Sequence, residues 1–77
     1  MSKGGKNISL KEFRKFLEYH GMKLIRTSAG HEVWSKANLL RPVILQTHVD
    51  PIPIFIVKNN LRTMGLTMKD LEEYFLS

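Results

Sequence analysis

Hydrophobic residues recur at helical spacing in the first third of the chain. They form a single stripe consisting of Leu10, Phe13, Phe16, Leu17 and His20. This spacing predicts an amphipathic helix. Ser9 and Glu12 match a capping box, in which each side chain satisfies the other residue's free backbone N–H, so the helix is expected to begin at Ser9. Gly21 is expected to end it, because glycine adopts the left-handed backbone conformation at little cost.

Beyond Gly21 the pattern changes to the alternation and β-branched content of strands. Residues 22–27 and 31–36 are predicted to form a hairpin around the turn Ser28-Ala29-Gly30. A third strand is predicted at residues 41–48. Pro42 fits best at the start of that strand or on a sheet edge, since proline cannot donate to a strand ladder.

The apolar run at residues 54–57 is ambiguous between a strand and a helix. It follows Asp50-Pro51-Ile52-Pro53, where two prolines interrupt regular structure. Its β-branched content is compatible with a fourth strand. We favour a helix closed by Gly65, because four residues share one helical face: Ile54, Val57, Leu61 and Met64. The polar residues of this segment are expected off that face: Lys58, Asn59, Asn60 and Arg62.

A short last helix is predicted from another capping pattern, formed by Thr67 and Asp70. Its inward side is expected to carry Leu71, Tyr74 and Phe75. The fold class is therefore α+β, in the order helix, three strands, helix and short terminal helix. We expect a flexible basic N-terminus at residues 1–8 and a single domain at residues 9–77.

Two helices on one face of a three-stranded antiparallel sheet, in the order α-β-β-β-α, form the architecture of the double-stranded-RNA-binding domain. The charge agrees with a polyanionic partner: 12 Lys and Arg against 7 Asp and Glu give a net charge of +5. Solubility is an adequate alternative explanation of that charge. No apolar run approaches the roughly 20 residues that cross a bilayer, and no secretory signal or cysteine is present. A cytoplasmic protein with no membrane association is expected.

His31 is the first candidate for chemistry, because it lies at a predicted turn and histidine titrates near neutral pH. His48, at the end of the third strand, is a weaker candidate that either assists or only ends the strand. His20 lies on the apolar stripe and is expected to be a half-buried packing residue. No metal site is predicted, since the histidines lack the spacing of a zinc helix and thiolates are absent.

Several basic residues are candidates for RNA binding. Those of the first helix are Lys11, Arg14 and Lys15, and those expected to flank His31 are Arg26 and Lys36. An ordinary solvated face is the competing interpretation. Trp34 could stack on a base, or it could belong to the core.

Four segments in this order resemble the HicA family of toxins, small ribonucleases of toxin–antitoxin pairs, over about residues 9–66. The first is the opening from Ser9 to Arg26, with its helix-closing glycine. The second is Ala29-Gly30-His31 followed by Trp34, where family members usually have Gly-Ser-His and an aromatic residue. The third is Gln46-Thr47-His48, where the family often has Pro-x-His. The fourth is the helix from Val57 to Gly65.

The resemblance implies an mRNA-cleaving endoribonuclease that needs neither metal nor other cofactor. It implies His31 as the catalytic residue, with His48 and Ser28 as possible assisting residues, and a HicB-like antitoxin as protein partner. Ala29-Gly30 in place of Gly-Ser moves or removes a hydroxyl group. This departure keeps open a non-catalytic RNA-binding module of the same fold. A protein-interaction domain also stays open, because residues 52–57 are apolar and the C-terminal segment is acidic.

Overall fold

A computed structural model describes residues 8–76, which form three helices and one three-stranded sheet. The elements are α1 (Leu10–Tyr19), β1 (Lys23–Ser28), β2 (His31–Ser35), β3 (Val43–Gln46), α2 (Ile54–Met64) and α3 (Met68–Leu76). Both strand pairs are antiparallel, in the order β1-β2-β3. The predicted α+β class and element order are confirmed, including a helix rather than a strand at residues 54–57. No helix within residues 8–76 has the length and apolarity that crossing a membrane requires.

The third strand is shorter than predicted, because a proline precedes its first ladder residue and a turn follows its last one. Pro42 cannot donate a backbone hydrogen bond, so the ladder begins at Val43. At the other end, the backbone N–H of Val49 donates to the carbonyl oxygen of Gln46, which forms a turn. The predicted strand 41–48 is therefore only four residues long, from Val43 to Gln46.

Within residues 8–76, only one face of the sheet is covered. Along β2 and β3, buried and more exposed residues alternate, and the four buried strand residues are Glu32, Trp34, Val43 and Leu45. In antiparallel pairs, directly opposite residues share a face, so all four point to the side where the helices pack. The other side, here called the open face, carries His31, Val33, Ile44 and Gln46. All six residues of β1 are exposed.

Helix α1 supplies most of the core that lies under the sheet. Phe13, Phe16 and Leu17 are completely buried, as the apolar stripe predicts. The predicted capping box is confirmed: the N–H of Glu12 donates to Ser9 Oγ at 3.0 Å, and the N–H of Ser9 donates to Glu12 Oε1 at 3.1 Å. A further cap comes from Asp50, whose Oδ1 accepts the N–H of Leu10 at 3.1 Å. This contact spans forty positions and has no signal in the local sequence.

The N-terminal boundary differs from the expectation by one residue. Ile8 falls within the segment 1–8 that the sequence predicts to be flexible, yet it is buried and forms an antiparallel bridge with Ile52. The N–H of Ile52 donates to the carbonyl oxygen of Ile8 at 2.8 Å. Ile8 therefore belongs to the domain, because burial of its side chain and this hydrogen bond hold it beside the start of α2. The rest of the predicted flexible segment, residues 1–7, lies outside the described residues.

Helix α2 is rotated relative to the predicted apolar face. Val57, Leu61 and Met64 are buried as expected, but Ile54 is 43% exposed and Asn60 is buried. The buried stripe therefore follows the i, i+3, i+4, i+7 spacing from Val57, which includes Asn60. The core position ahead of the helix is filled by Ile52 instead of Ile54.

Replacing Asn60 with leucine is expected to stabilise the protein by about 1 kcal/mol, because Asn60 Nδ2 is buried and donates to no partner within the described residues. Leucine has a similar size and removes the cost of that unpaired amide. Urea unfolding followed by circular dichroism measures the change. Asn59→Leu, at the exposed neighbouring position, is the matched control and should change stability by no more than about 0.5 kcal/mol. A loss of stability in Asn60→Leu alone would contradict the prediction.

Candidate active site

The turn between β1 and β2 brings His31 to the end of the sheet. Ser28 and His31 are paired across the hairpin, and only Ala29 and Gly30 lie between them. Both have positive φ values, 51° for Ala29 and 80° for Gly30. This is the signature of a two-residue type I′ turn, whose twist matches that of the flanking strands. Because β2 begins at His31 on the open face, its imidazole is exposed to solvent.

The residues that follow β3 pack against this turn. The backbone N–H of Thr47 donates to the carbonyl oxygen of Gly30 at 2.8 Å, and Thr47 Oγ1 donates to the same oxygen at 3.1 Å. A Cβ atom placed on Gly30 would lie 3.6 Å from His48 Nδ1. The structure thus brings His48 next to the residue that precedes His31. We call Ser28, Gly30, His31, Thr47 and His48 the histidine corner.

Polar and cationic groups surround His31 on the open face. Gln46 lies directly opposite His31 on β3, and Ser28 lies directly opposite it on β1. Arg26 is paired with Val33, two positions along from the Ser28–His31 pair, so alternation places it on the same face. Hydroxyl, amide and guanidinium groups are donors that bind phosphate oxygens. The structure therefore brings together four candidates from the sequence, which are Arg26, Ser28, His31 and His48. Gln46 joins them, although the sequence did not indicate it as a neighbour of His31.

Lys36 does not flank His31, contrary to the expectation from sequence. His31 begins β2, whereas Lys36 directly follows its last residue, Ser35, and Lys36 Nζ donates to the carbonyl oxygen of His20 at 3.0 Å. The extended backbone is the physical reason, since five residues of strand separate these positions by about 17 Å.

Arg14 and Trp34 are engaged on the covered face of the sheet. Arg14 Nε and Nη2 donate to the two carboxylate oxygens of Glu32 at 3.1 and 2.7 Å. Trp34 Nε1 donates to Glu32 Oε1 at 3.0 Å, and the tryptophan is only 4% exposed. Trp34 is therefore a core residue, which is the second of the two alternatives left open by the sequence, and its ring is not exposed for stacking on a base. Arg14 holds a buried carboxylate and is not free to follow a phosphate backbone.

Glu32 was missed by the sequence interpretation, although a signal exists. Alternation with Trp34 places Glu32 on the inward side of β2, where an unpaired carboxylate is unfavourable. An inward acid of this kind requires a cation from a neighbouring element, here Arg14. Burial alone raises the pKa of Glu32. The hydrogen bonds from Arg14 and Trp34, together with the charge of Arg14, outweigh this effect and hold the pKa below its ordinary value.

Lys11 and Lys15 are exposed on α1. Helix α1 packs on the covered side of the sheet, as the Arg14–Glu32 ion pair shows. The two lysines are thus separated from the open face that carries His31. A ligand that touched all of these residues would have to wrap around the edge of the sheet.

His20 is the half-buried packing residue that the sequence predicts. Its ring meets Phe16 edge-on, with ring centres 4.6 Å apart, and lies 5.1 Å from Tyr19. Burial lowers the pKa of His20, the charge of Lys36 lowers it further, and Asp70 opposes the change. His20 lies at the Lys36 end of β2, away from the histidine corner. Among residues 8–76, no three His, Asp or Glu side chains are grouped so as to hold a metal ion.

Replacing Ala29 with glycine is expected to stabilise the hairpin by up to about 1 kcal/mol, because an L-residue in the left-handed region is strained by its Cβ atom. Thermal unfolding measures the effect. Ala37→Gly is the matched control, since Ala37 is also exposed in a turn but has no positive φ. It should be neutral or slightly destabilising. Equal effects of the two substitutions would contradict the assignment of strain to Ala29.

Comparison of the chain with protein-family models, with curated proteins and with solved structures found no match.

Proposed function

We propose that this chain is an endoribonuclease of the HicA type, which cleaves mRNA in the cytoplasm without a metal ion and uses His31 as its catalytic residue. The observation that supports this proposal is the histidine corner, where the exposed His31 begins β2 opposite Ser28 and a second histidine, His48, lies beside the preceding residue, Gly30. Histidine is suited to proton transfer at neutral pH. The proposal also agrees with the resemblance seen in the sequence.

RNA contains its own nucleophile, so the protein needs to supply few groups. The ribose 2′-hydroxyl attacks the adjacent phosphorus while a base removes its proton. Negative charge that develops on the phosphate oxygens is stabilised by cations and hydrogen-bond donors. His31 is placed to act as the base, and Arg26 on the same face supplies the positive charge.

The fold and the net charge also support the proposal, although neither points to a particular residue. The order α-β-β-β-α, with helices on one face of an antiparallel sheet, is compatible with a double-stranded-RNA-binding-domain-like fold. The net charge of +5 favours association with RNA. We propose a HicB-like antitoxin as the protein partner, one that covers the histidine corner and so keeps the ribonuclease inactive.

A second candidate function is RNA binding without cleavage, and the composition of the turn favours it. Gly30 has no hydroxyl, whereas the related toxins usually have serine immediately before the histidine. The hydroxyl groups of the histidine corner belong to Ser28 and Thr47, and that of Thr47 already donates to the carbonyl oxygen of Gly30. The two functions differ in one observable property, which is the integrity of the RNA.

Incubation of the purified chain with end-labelled RNA in excess EDTA tests the proposal. We expect cleavage that leaves 2′,3′-cyclic phosphate and 5′-hydroxyl ends, together with growth arrest when the chain is expressed alone in bacteria. Salt-sensitive binding with intact RNA would support the binding module instead. If the chain neither cleaved nor bound RNA at low salt, both candidates would be overturned and a protein-interaction domain would be favoured.

A further inference from the structure

Cleavage by internal attack needs two separate proton-transfer groups. The attacking 2′-oxygen and the leaving 5′-oxygen lie roughly in line on opposite sides of phosphorus. A single imidazole that contacts the first oxygen is therefore too far from the second to protonate it. Without a proton, the 5′-oxygen would leave as an alkoxide, which is a poor leaving group at neutral pH.

The residue types around His31 narrow the choice of a second proton-transfer group. Arginine does not release its proton in proteins, which excludes Arg26, and hydroxyl and amide side chains do not titrate near neutral pH. These limits exclude Ser28, Gln46 and Thr47. Glu32 follows His31 directly, but it points to the covered face and is held by Arg14 and Trp34. His48 is the remaining candidate in the described part of the histidine corner.

The position of His48 is fixed by its neighbours rather than left to a free loop. Thr47 makes two hydrogen bonds to the carbonyl oxygen of Gly30, which fastens the end of β3 to the turn. The absence of a side chain at Gly30 leaves the space beside His48 Nδ1 open. His48 itself is exposed, so substrate can reach it.

We infer that His48 is the general acid of the cleavage reaction, an inference that rests on the proposed function. Neutral His31 takes the proton of the 2′-hydroxyl as the new bond from the 2′-oxygen to phosphorus forms. As the bond from phosphorus to the 5′-oxygen breaks, the imidazolium of His48 gives its proton to that oxygen. The products are a 2′,3′-cyclic phosphate and a 5′-hydroxyl, and one proton has passed to His31 while another has left His48.

A change of leaving group tests this role directly. The assay compares an all-oxygen dinucleotide with one in which sulfur replaces the bridging 5′-oxygen, because a thiolate leaves without being protonated. We expect His48→Gln to slow cleavage of the oxygen substrate by about 10²–10³-fold. The same variant should cleave the sulfur substrate at nearly the wild-type rate. We expect His31→Gln to be slow on both substrates, because each still needs a base.

The controls separate this inference from the proposed function. His20→Gln changes a histidine at the other end of β2 and should cleave both substrates like the wild type. Circular dichroism and thermal unfolding verify that each variant folds. Full activity of His48→Gln on the oxygen substrate, or equal loss on both substrates, would overturn the role of His48 while leaving the ribonuclease intact. A folded wild-type chain that cleaves neither substrate would overturn the proposed function as well.

Discussion

Replacing Arg14 with methionine is expected to destabilise the protein by about 2–3 kcal/mol near pH 7, as the loss of one partner leaves a buried charge uncompensated. Glu32 is the buried member, with 9% of its side chain exposed against 36% for Arg14. We place the effect below the usual range for fully buried pairs because Arg14 is partly solvated. Methionine retains most of the apolar stem, so the variant isolates the guanidinium group. Urea unfolding at pH 7 measures the change.

The pH dependence of the Arg14 variant should run opposite to that of the wild type. In the wild type the folded-state pKa of Glu32 is lowered, so the stabilisation by the ion pair is present at neutral pH. It is lost as the pH falls below the ordinary pKa of glutamate and through the lowered folded-state pKa. Without Arg14, burial raises the folded-state pKa of Glu32 above its unfolded value. Acidification from neutral pH towards the ordinary pKa of glutamate then protonates Glu32 and should recover stability.

A substitution on the same helix provides the control. Lys15→Met also removes one positive charge, but Lys15 is exposed, so the stability and its pH dependence should stay close to those of the wild type. An equal loss of stability in Arg14→Met and Lys15→Met would contradict a stabilising role of the ion pair with Glu32. It would point instead to an effect of the net charge of the chain.

Replacing His31 with alanine is expected to lower the rate of RNA cleavage by about 10²–10⁴-fold, the usual contribution of a positioned acid or base. The imidazole is exposed on the open face, so its removal should change the free energy of unfolding by no more than about 0.5 kcal/mol. This variant should therefore lose activity while it keeps the stability of the wild type. Single-turnover cleavage of a labelled RNA, together with urea unfolding, measures both.

Added imidazole provides a sharper readout for the same variant. If His31 acts as a base, free imidazole in the buffer should restore part of the activity of His31→Ala and leave the wild type unchanged. A merely structural histidine would not respond in this way. Undiminished cleavage by the variant would remove His31 from the mechanism.

Much of the fold is encoded locally and was predictable for that reason. The first helix has its cap, its apolar stripe and its terminating glycine all between Ser9 and Gly21. The Ser28–His31 turn is equally local, since Ala29-Gly30 lies between two runs with strand character. The prediction was less accurate where two local patterns competed. At α2 it gave a helix correctly but placed Asn60 outside the buried face, because the rotation of the helix depends on what it packs against.

The candidate site was only partly visible in the sequence. His31 stands out because a titratable side chain beside a tight turn is exposed by the turn itself. The roles of Arg14 and Lys36 could not be assigned, since each depends on a contact with a distant residue. The role of Trp34 stayed open because its burial depends on which face of the sheet the helices cover. Of the three basic residues of α1, Arg14 forms an ion pair with Glu32, and the length of β2 separates Lys36 from His31.

By itself, the sequence determined the three helices, the hairpin and an exposed histidine at its turn, because caps, periodicity and turn residues act over a few positions. The tertiary structure decided which side chains meet. It buried Glu32 and therefore required Arg14, it removed Trp34 from the surface, and it brought His48 beside Gly30. These outcomes depend on strand pairing and on packing between distant segments, which no local pattern specifies.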